Sequence, residues 1–547
     1  MRSAAVRGAA SWDAIVIGSG LGGLTAAAYL AAHGLRTVVL EQAAVAGGCA
    51  QAFRRKGFQF DVGVHYLGDC GPGGVIPTIL RGVGLDGRVE FRPMDPDGFD
   101  TLLLPGREFR VPRGWDRYLE ALIEAFPREE RGLRACVGVL RRIGRETERT
   151  TIPTTAAQTA LFPVRCPRTA YWSARPLSRL LDDCGLSPAA RAVLCAQSGD
   201  YGAPPDQAPA ALHAALLHHF LKSGTYFPRG GGQELVAHLV DVLTGHGGRL
   251  RTGQRVERIL LDGGRVRGVA LRGGEHLHAP VVVSGADLPR TLLELLERVP
   301  DRTARTAGRY RMSPPFCTVY LGLDIDLSTR MPNTNYWLHR DTDPAGFYRG
   351  VDGAHPVGGL FVSSAAVKDP DSAHHAPPGR STLELMGFAP PHPESWGVRG
   401  GDRYRRDPGY RSRKAAVVEE MLRLATEVVP DLREHVVWQE ASTPLTQQRY
   451  TLASGGAALG LAAAPDQFGR HRPGATTAIG GLYLAGAGTR AGPGVLGATT
   501  SGVLAAGAVL RRDLFAALRR GAVFADPARG SYDGRDALRF CREQARA

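Results

Sequence analysis

The run Asp13–Ile17 ends in four consecutive apolar positions, too short for a buried helix and of the length of a strand covered on both faces. Leu24–His33 then carries small and apolar residues over helical length, and Thr37–Leu40 repeats the strand pattern. This order predicts a βαβ unit. Ala50 to Phe60 reads as an extended excursion that closes on Gly57-Phe58-Gln59-Phe60-Asp61. From about residue 75 to 225 the pattern is mostly helical with Pro and Gly breaks, as in Trp115–Phe126 and Ala210–Leu221. Near residue 230 the first style returns. Gln233–Leu243 predicts a helix, and Leu250–Arg251 leads into a hairpin of Val256–Leu261 and Val266–Leu271 turned by Gly263-Gly264. Val281–Ser284 is a further short strand. Residues 310–440 carry strands at Cys317–Leu323 and Leu383–Phe388 and a helix over Arg413–Val428. Leu482–Ala485 and a helix after Val495 close the pattern, with no repeat or linker between.

The turn Gly18-Ser19-Gly20-Leu21-Gly22-Gly23 leaves the first strand and opens the first helix. Gly18 permits the tight turn, Gly20 admits a pyrophosphate against the backbone, and Gly23 lets the helix lie close on the sheet. The helix N-terminus offers free N–H groups and partial positive charge to phosphates. Glu41, with Gln42 beside it, ends the second strand about 20 residues on, where a carboxylate accepts ribose hydroxyls. NAD would fit that unit as well as FAD. Two more glycine-rich turns decide between them: Gly47-Gly48-Cys49, and Gly486-Ala487-Gly488, which leads to the helix opening at Val495-Leu496. Three dispersed turns suit a long flavin dinucleotide, so FAD is the expected cofactor, with Val256 placed in the same set. The fold class expected is α/β. A Rossmann-type FAD-binding domain is assembled from residues 1–75, 226–305 and 470–547. An interwoven α+β substrate domain takes residues 76–225, with a helical insertion, and 306–469.

Composition narrows the rest. With 547 residues, 43% hydrophobic and 22% charged, the chain reads as folded and too long for one simple core. The net charge of +14 comes without zinc spacing, RNA-binding signature or basic tail, and Lys occurs only at 56, 222, 368 and 414. A GC-rich genome writing Arg for Lys accounts for this, and no nucleic-acid partner is expected. Eight scattered cysteines without a CxxC pair read as free thiols in a reducing compartment. Residues 1–12 carry Arg2 and Arg7 but no apolar core of a secretory signal, and no apolar run reaches the ~18 residues of a membrane span. A cytoplasmic protein is expected, with contact to the cytoplasmic face of a membrane left open. Leu510, Leu514, Phe515 and Leu518 share one side of a C-terminal helix, with Arg511, Arg512, Arg519 and Arg520 elsewhere. That face suits an anionic leaflet or ordinary packing. His213, His218 and His219 match no metal-ligand spacing, and no metal is expected. Asp200 and Tyr201 invite a proton-relay reading, but Asp200 reads rather as the cap of a turn before Pro204-Pro205.

Several stretches together carry a family likeness: Gly47-Gly48-Cys49, Gly57–Gly68, Gly199-Asp200-Tyr201-Gly202, Tyr226–Gly231, Val319–Asp324, Thr443–Thr446 and Gly481–Ala498. In these the chain resembles the phytoene desaturase/amine-oxidase-type flavoproteins, and within them the retinol saturases and carotenoid isomerases. His65-Tyr66 is the discriminating pair. The resemblance implies a bipartite FAD fold and a hydrophobic tunnel for a conjugated polyene such as a carotenoid or retinoid. Where many relatives have Gly-Asp in the final flavin turn, this chain has Gly488-Thr489, which implies contact through backbone amides there. His65 and Tyr66 are the catalytic candidates, as proton donor or polyene positioner. The alternative is that His65 bonds backbone and Tyr66 packs. The leading expectation is an FAD-dependent oxidoreductase that saturates a C=C bond. A desaturase and a redox-neutral cis-trans isomerase are the enzymatic alternatives, and a flavin-holding lipid carrier is the alternative without catalysis. Only one dinucleotide fingerprint is present, so a membrane quinone, a separate reductase or nicotinamide entering a shared site is the expected electron partner.

Overall fold

In a computed structural model, which describes residues 12–150, 152–351, 357–398 and 404–546, the first apolar run forms strand β1 (Ala14–Ile17). Helix α1 (Leu21–Ala32) and strand β2 (Thr37–Leu40) complete the βαβ unit, the helix starting three residues earlier than its apolar pattern. The excursion after it is a hairpin of β3 (Ala52–Arg55) and β4 (Phe58–Asp61). Strands β5 (Asp100–Leu104) and β6 (Arg107–Val111) make another. Helices α2 (Glu130–Arg149), α3 (Ala156–Arg165), α4 (Ala210–Leu221) and α5 (Gly232–Gly245) lead to β7 (Arg249–Arg251) and β8 (Val282–Ser284). Strands β9 (Phe316–Leu323), β10 (Asn335–His339), β11 (Gly359–Ser363) and β12 (Ser381–Phe388) follow. Helix α6 (Pro408–Ala425), strands β13 (Val436–Ser442) and β14 (Leu482–Leu484), and helices α7 (Gly494–Leu510) and α8 (Leu514–Arg519) complete the core.

The wholly buried runs assemble into a five-stranded parallel sheet in the order β7-β2-β1-β8-β14. Burial on both faces is why they read as unbroken apolar text. The chain moves from β1 to β2 on one side and reaches β8 on the other, so a crevice opens beyond the carboxyl ends of the strands. Glycine sets how close the covering helices come. A Cβ at Gly23 would stand 2.2 Å from the Gly18 carbonyl oxygen, and one at Gly22 would stand 2.6 Å from the Gly486 nitrogen. From the other side, a Cβ at Gly502 in α7 would meet the Gly22 carbonyl at 2.5 Å. Helix α1 is thus held between sheet and α7 at backbone contact.

A second sheet of seven strands runs β13-β9-β12-β11-β10-β5-β6, antiparallel except where β10 meets β5. The helical reading of residues 75–225 therefore missed two of its strands. Pro105-Gly106, with Gly106 at φ 69°, turns a hairpin there rather than separating helices. The insertion helices pack over this sheet through Leu133, Leu140, Leu217 and Phe220 against Phe109, Trp337 and Phe361.

The C-terminal helix is two helices, broken where Arg511 takes a left-handed φ of 55°. Leu514 and Leu518 are buried in the core around α1, so of the two readings of that segment the structure shows ordinary packing at these positions. Among the described residues no helix is long and apolar enough to cross a membrane. Arg2 and Arg7 lie outside the described residues.

Gly23→Ala is expected to cost about 3 kcal/mol or more, since its methyl group would displace backbone rather than a pliable side chain. Gly138→Ala, inside α2 with open space at its Cβ, is expected to gain about 0.5–1 kcal/mol of helix propensity. Thermal midpoints of the two variants, moving in opposite directions from wild type, check the contrast.

Candidate active site

A cavity of about 1050 Å³ extends from the rim of the parallel sheet to the aromatic face of the second sheet. At the sheet end its wall includes Gly18, Gly20, Leu21, Gly22, Gly23, Glu41, Gln42, Gly47, Gly48, Cys49 and Val256. The C-terminal return adds Gly486, Ala487, Gly488, Val495 and Leu496. Ser19, expected on this wall, is instead buried behind it. Its hydroxyl donates to Glu41 Oε2 (2.7 Å) and accepts from the Gly47 N–H (3.0 Å), tying two glycine turns to one carboxylate. Glu41 also accepts from the backbone N–H groups of Ser19 (2.9 Å) and Ala43 (2.8 Å). Those bonds orient the carboxylate and leave lone pairs for hydroxyl donors from the cavity.

The shape of this end suits an anionic dinucleotide. A Cβ built on Gly20 meets nothing within 4 Å, whereas those on Gly22 and Gly23 collide with backbone. Gly20 is the position whose missing side chain leaves cavity space. Helices α1 and α7 both begin at this wall, neither with a side-chain cap nor an acidic residue in its first turn. Their N–H groups stay available to an anion. Arg290, Arg472 and Arg490 also line the cavity. Arg472 spends its guanidinium on the carbonyls of Gln467, Leu461 and Ala487, fixing the C-terminal turn. Arg490 donates to Pro153 O (2.6 Å) and keeps a buried Nε without a partner. No sequence signal marked these arginines, because Arg is the chain's general cation.

The opposite end is apolar and aromatic. Tyr66 stacks on Phe220, with ring centroids 4.7 Å apart, and on Phe361 at 6.1 Å. His65 and Tyr66 both line the cavity. His65 Nδ1 donates to Glu384 Oε2 (2.9 Å), and its carbonyl accepts from Lys368 Nζ (2.7 Å). Behind it, Glu384 accepts from the Asp61 N–H (3.2 Å), and Asp61 accepts from the Gly232 N–H (2.7 Å). Burial, reinforced by the neighbouring Glu384 charge, raises the Asp61 carboxyl to about 6. Burial lowers the Lys368 ammonium to about 7, against the pull of Glu384 and Asp100.

Tyr66 Oη lies 2.6 Å from Asp200 Oδ2 and 3.3 Å from Asp100 Oδ2. Asp200 therefore faces the cavity and the phenol rather than capping the turn before Pro204. Asp100 also accepts from Asn335 Nδ2 (3.1 Å) and Gln197 Nε2. Burial raises Asp100 to about 6, with those donors opposing the shift. Burial also raises Asp200 well above the usual carboxylate range, and Asp100 adds to it. Asp100, Glu384 and Lys368 are far from Tyr66 in the chain, and only the strand pairing of the second sheet brings them beside it. His213 is buried against the Tyr201 hydroxyl (3.1 Å), His219 Nε2 accepts from the Gly68 N–H (3.0 Å), and His218 contacts Trp115 and Glu148. No group of three metal-ligating side chains occurs among the described residues.

Comparison with known proteins fits this geometry. The family model described as flavin containing amine oxidoreductase matches residues 21–510. Human all-trans-retinol 13,14-reductase is 31% identical over 93% of this chain and 87% of its own length. Prolycopene isomerase 1 of an Oncidium hybrid cultivar is 28% identical over 92% of this chain and 84% of its own. Among solved structures, cyclohexylamine oxidase from Brevibacterium oxydans superposes with a TM-score of 0.60 at 18% identity, covering 92% of this chain and 99% of that one. An oxidoreductase from Methanosarcina mazei gives 0.59 at 18%, covering 91% and 100%. These two likenesses concern the fold.

Gly20→Val is expected to leave the apo fold intact, because its side chain meets only cavity, and to purify without flavin. Visible absorbance together with an unchanged far-ultraviolet circular dichroism spectrum checks it. A yellow variant would remove Gly20 from the nucleotide site.

Proposed function

The chain belongs to the flavin-containing amine oxidoreductases and uses FAD, and from that premise we propose that it saturates a C=C bond of a hydrophobic conjugated polyene. The observation that carries this reading is the continuity of the cavity, glycine-rich at one end and aromatic at the other. In this reading Gly18, Gly20, Gly47, Gly48 and the Gly486–Gly488 turn hold the dinucleotide, with Glu41 on its ribose. The aromatic end takes the polyene, whose flat conjugated surface suits offset stacking on Tyr66 and Phe361. The retinol reductases among the relatives favour saturation of a retinoid-like substrate over the other outcomes.

FAD bound there supplies hydride exchange with carbon. Saturation then asks the chain for orientation and one proton, delivered where apolar walls exclude water. Glu384 fixes the ring and tautomer of His65, so the imidazole serves as a rigid wall of the reacting region. Only one dinucleotide fingerprint is present, so electrons enter from a separate reductase, a quinol or nicotinamide visiting the shared cavity.

A polyene reaches the cavity most readily from a bilayer, and the surface beside its mouth suits one. Ile152, Thr154 and Gln158 line the cavity next to α3, a helix with no buried residue. Leu161 and Val164 on α3 and nearby Tyr171 are 47%, 78% and 50% exposed. Arg142, Arg145, Arg149, Arg165 and Arg168 line an adjacent depression. Exposed apolar groups ringed by arginine match an anionic lipid surface. In this reading α3, rather than α8, meets the membrane.

Two measurements test these statements. Anaerobic incubation of the photoreduced holoenzyme with all-trans-retinol is expected to give a product heavier by two hydrogens; geometric change alone would favour an isomerase, and turnover only with added oxidant a desaturase. The protein is expected to float with vesicles containing phosphatidylglycerol. The double variant Leu161→Glu/Val164→Glu is expected to stay behind with its flavin retained. Equal flotation of both proteins would discard α3 as the docking surface.

A further inference from the structure

We propose that the Asp200 carboxyl group donates the proton that completes C=C reduction, and that Tyr66 and Asp100 position it in its protonated form. The inference rests on the reading of the cavity as a C=C reductase.

Hydrogen-bond bookkeeping assigns the proton. Asp100 faces three donors: Asn335 Nδ2 on Oδ1, and Gln197 Nε2 and Tyr66 Oη on Oδ2. A carboxylate that only accepts satisfies all of them, so Asp100 is the ionised partner. Tyr66 has one hydroxyl hydrogen. With that hydrogen on Asp100, the 2.6 Å contact is made by an Asp200 O–H donating to the phenol oxygen. In the reverse arrangement Tyr66 donates to an ionised Asp200 and the proton sits on Asp100, the acid whose charge two amide donors stabilise. Among the described residues Asp200 has Tyr66 as its one side-chain hydrogen-bond partner and no cation in a salt bridge. Tyr66 is thus the one hydrogen-bonding group there that would stabilise its charge, against burial and the neighbouring Asp100. Burial, with Asp100 beside it, raises its pKa and supports the same assignment. Two acids thus sit on one phenol with opposite protonation, the pattern that separates acid from base at a catalytic site.

Geometry also favours Asp200 over His65. His65 Nδ1 is engaged by Glu384, and its buried Nε2 has no hydrogen-bond partner through which a proton could be relayed. Asp200 lines the cavity directly. FAD held by the glycine-rich turns would, in its reduced form, supply hydride for a C–H bond at one alkene carbon. The π pair then forms the second C–H bond at the neighbouring carbon as the Asp200 O–H bond breaks. Asp200 is left as carboxylate and is reprotonated by water once product leaves.

The test uses flavin-loaded wild type, Asp200→Asn and Asp100→Asn. At pH 7 the wild-type-minus-Asp200→Asn infrared difference spectrum is expected to show one protonated-carboxyl band, over the background of the other raised carboxyls. In anaerobic single turnover with all-trans-retinol, Asp200→Asn should bind with near wild-type affinity and reoxidise flavin at least about 100-fold more slowly. Wild-type rate should fall as pH rises through the Asp200 pKa. Asp100→Asn removes a like charge, lowers that pKa and moves the fall to lower pH. A wild type that reduces no polyene sinks the reductase reading. A competent wild type beside an equally fast Asp200→Asn variant, or beside a difference spectrum without that band, sinks Asp200 alone.

Discussion

The architecture depends on backbone meeting backbone at the carboxyl rim of the parallel sheet. Gly23 lies against the Gly18 carbonyl and Gly22 against the Gly486 nitrogen, each closer than any side chain allows. Only at that separation do the uncapped starts of α1 and α7 open onto one cavity, and only then can Ser19 span from Glu41 to Gly47. The glycines do different work within a few residues. Gly22 and Gly23 are small so that protein can approach, and Gly20 is small so that protein stays away.

The substrate end follows a different rule. A greasy aromatic chamber lies on charged groups that are out of water: Asp61, Glu384, Lys368, Asp100 and Asp200. Desolvation moves the three aspartates up and the lysine down, toward neutrality in both cases. Each retains charge only as far as its donors permit, so strand pairing in the second sheet fixes where a proton can reside. His65 and Tyr66, adjacent in the chain, enter two separate polar circuits, one through Glu384 and one through the aspartates.

The nucleotide end was legible because its chemistry is local. A strand, a glycine turn and a helix occupy fewer than 30 residues, and period and spacing reveal them together. Glu41 follows at the end of the next strand. The substrate end was legible only as His65-Tyr66 and a likeness. Its other polar groups come from β5, α4's neighbourhood and β12, and nothing in Asp100-Thr101-Leu102-Leu103-Leu104 marks a carboxylate facing a phenol at residue 66. The β5–β6 hairpin was lost for a related reason: β5 is buried at all but Leu103 and so lacks alternation, and its segment fell within the stretch read as mostly helical. The C-terminal amphipathic stripe left two readings open because apolar periodicity says a face is covered, and tertiary contact says by what.

The parallel sheet carries a temporal consequence. Its middle strand β1 is made first, but the neighbours on one side, β8 and β14, lie hundreds of residues later. Such remote pairings carry a large loop-closure cost and slow folding. While the chain emerges from the ribosome, the cofactor groove has a floor and one wall until β14 and α7 arrive. A chain cut short before residue 482 keeps four of the five strands but lacks β14 and α7, and with them one wall of the groove.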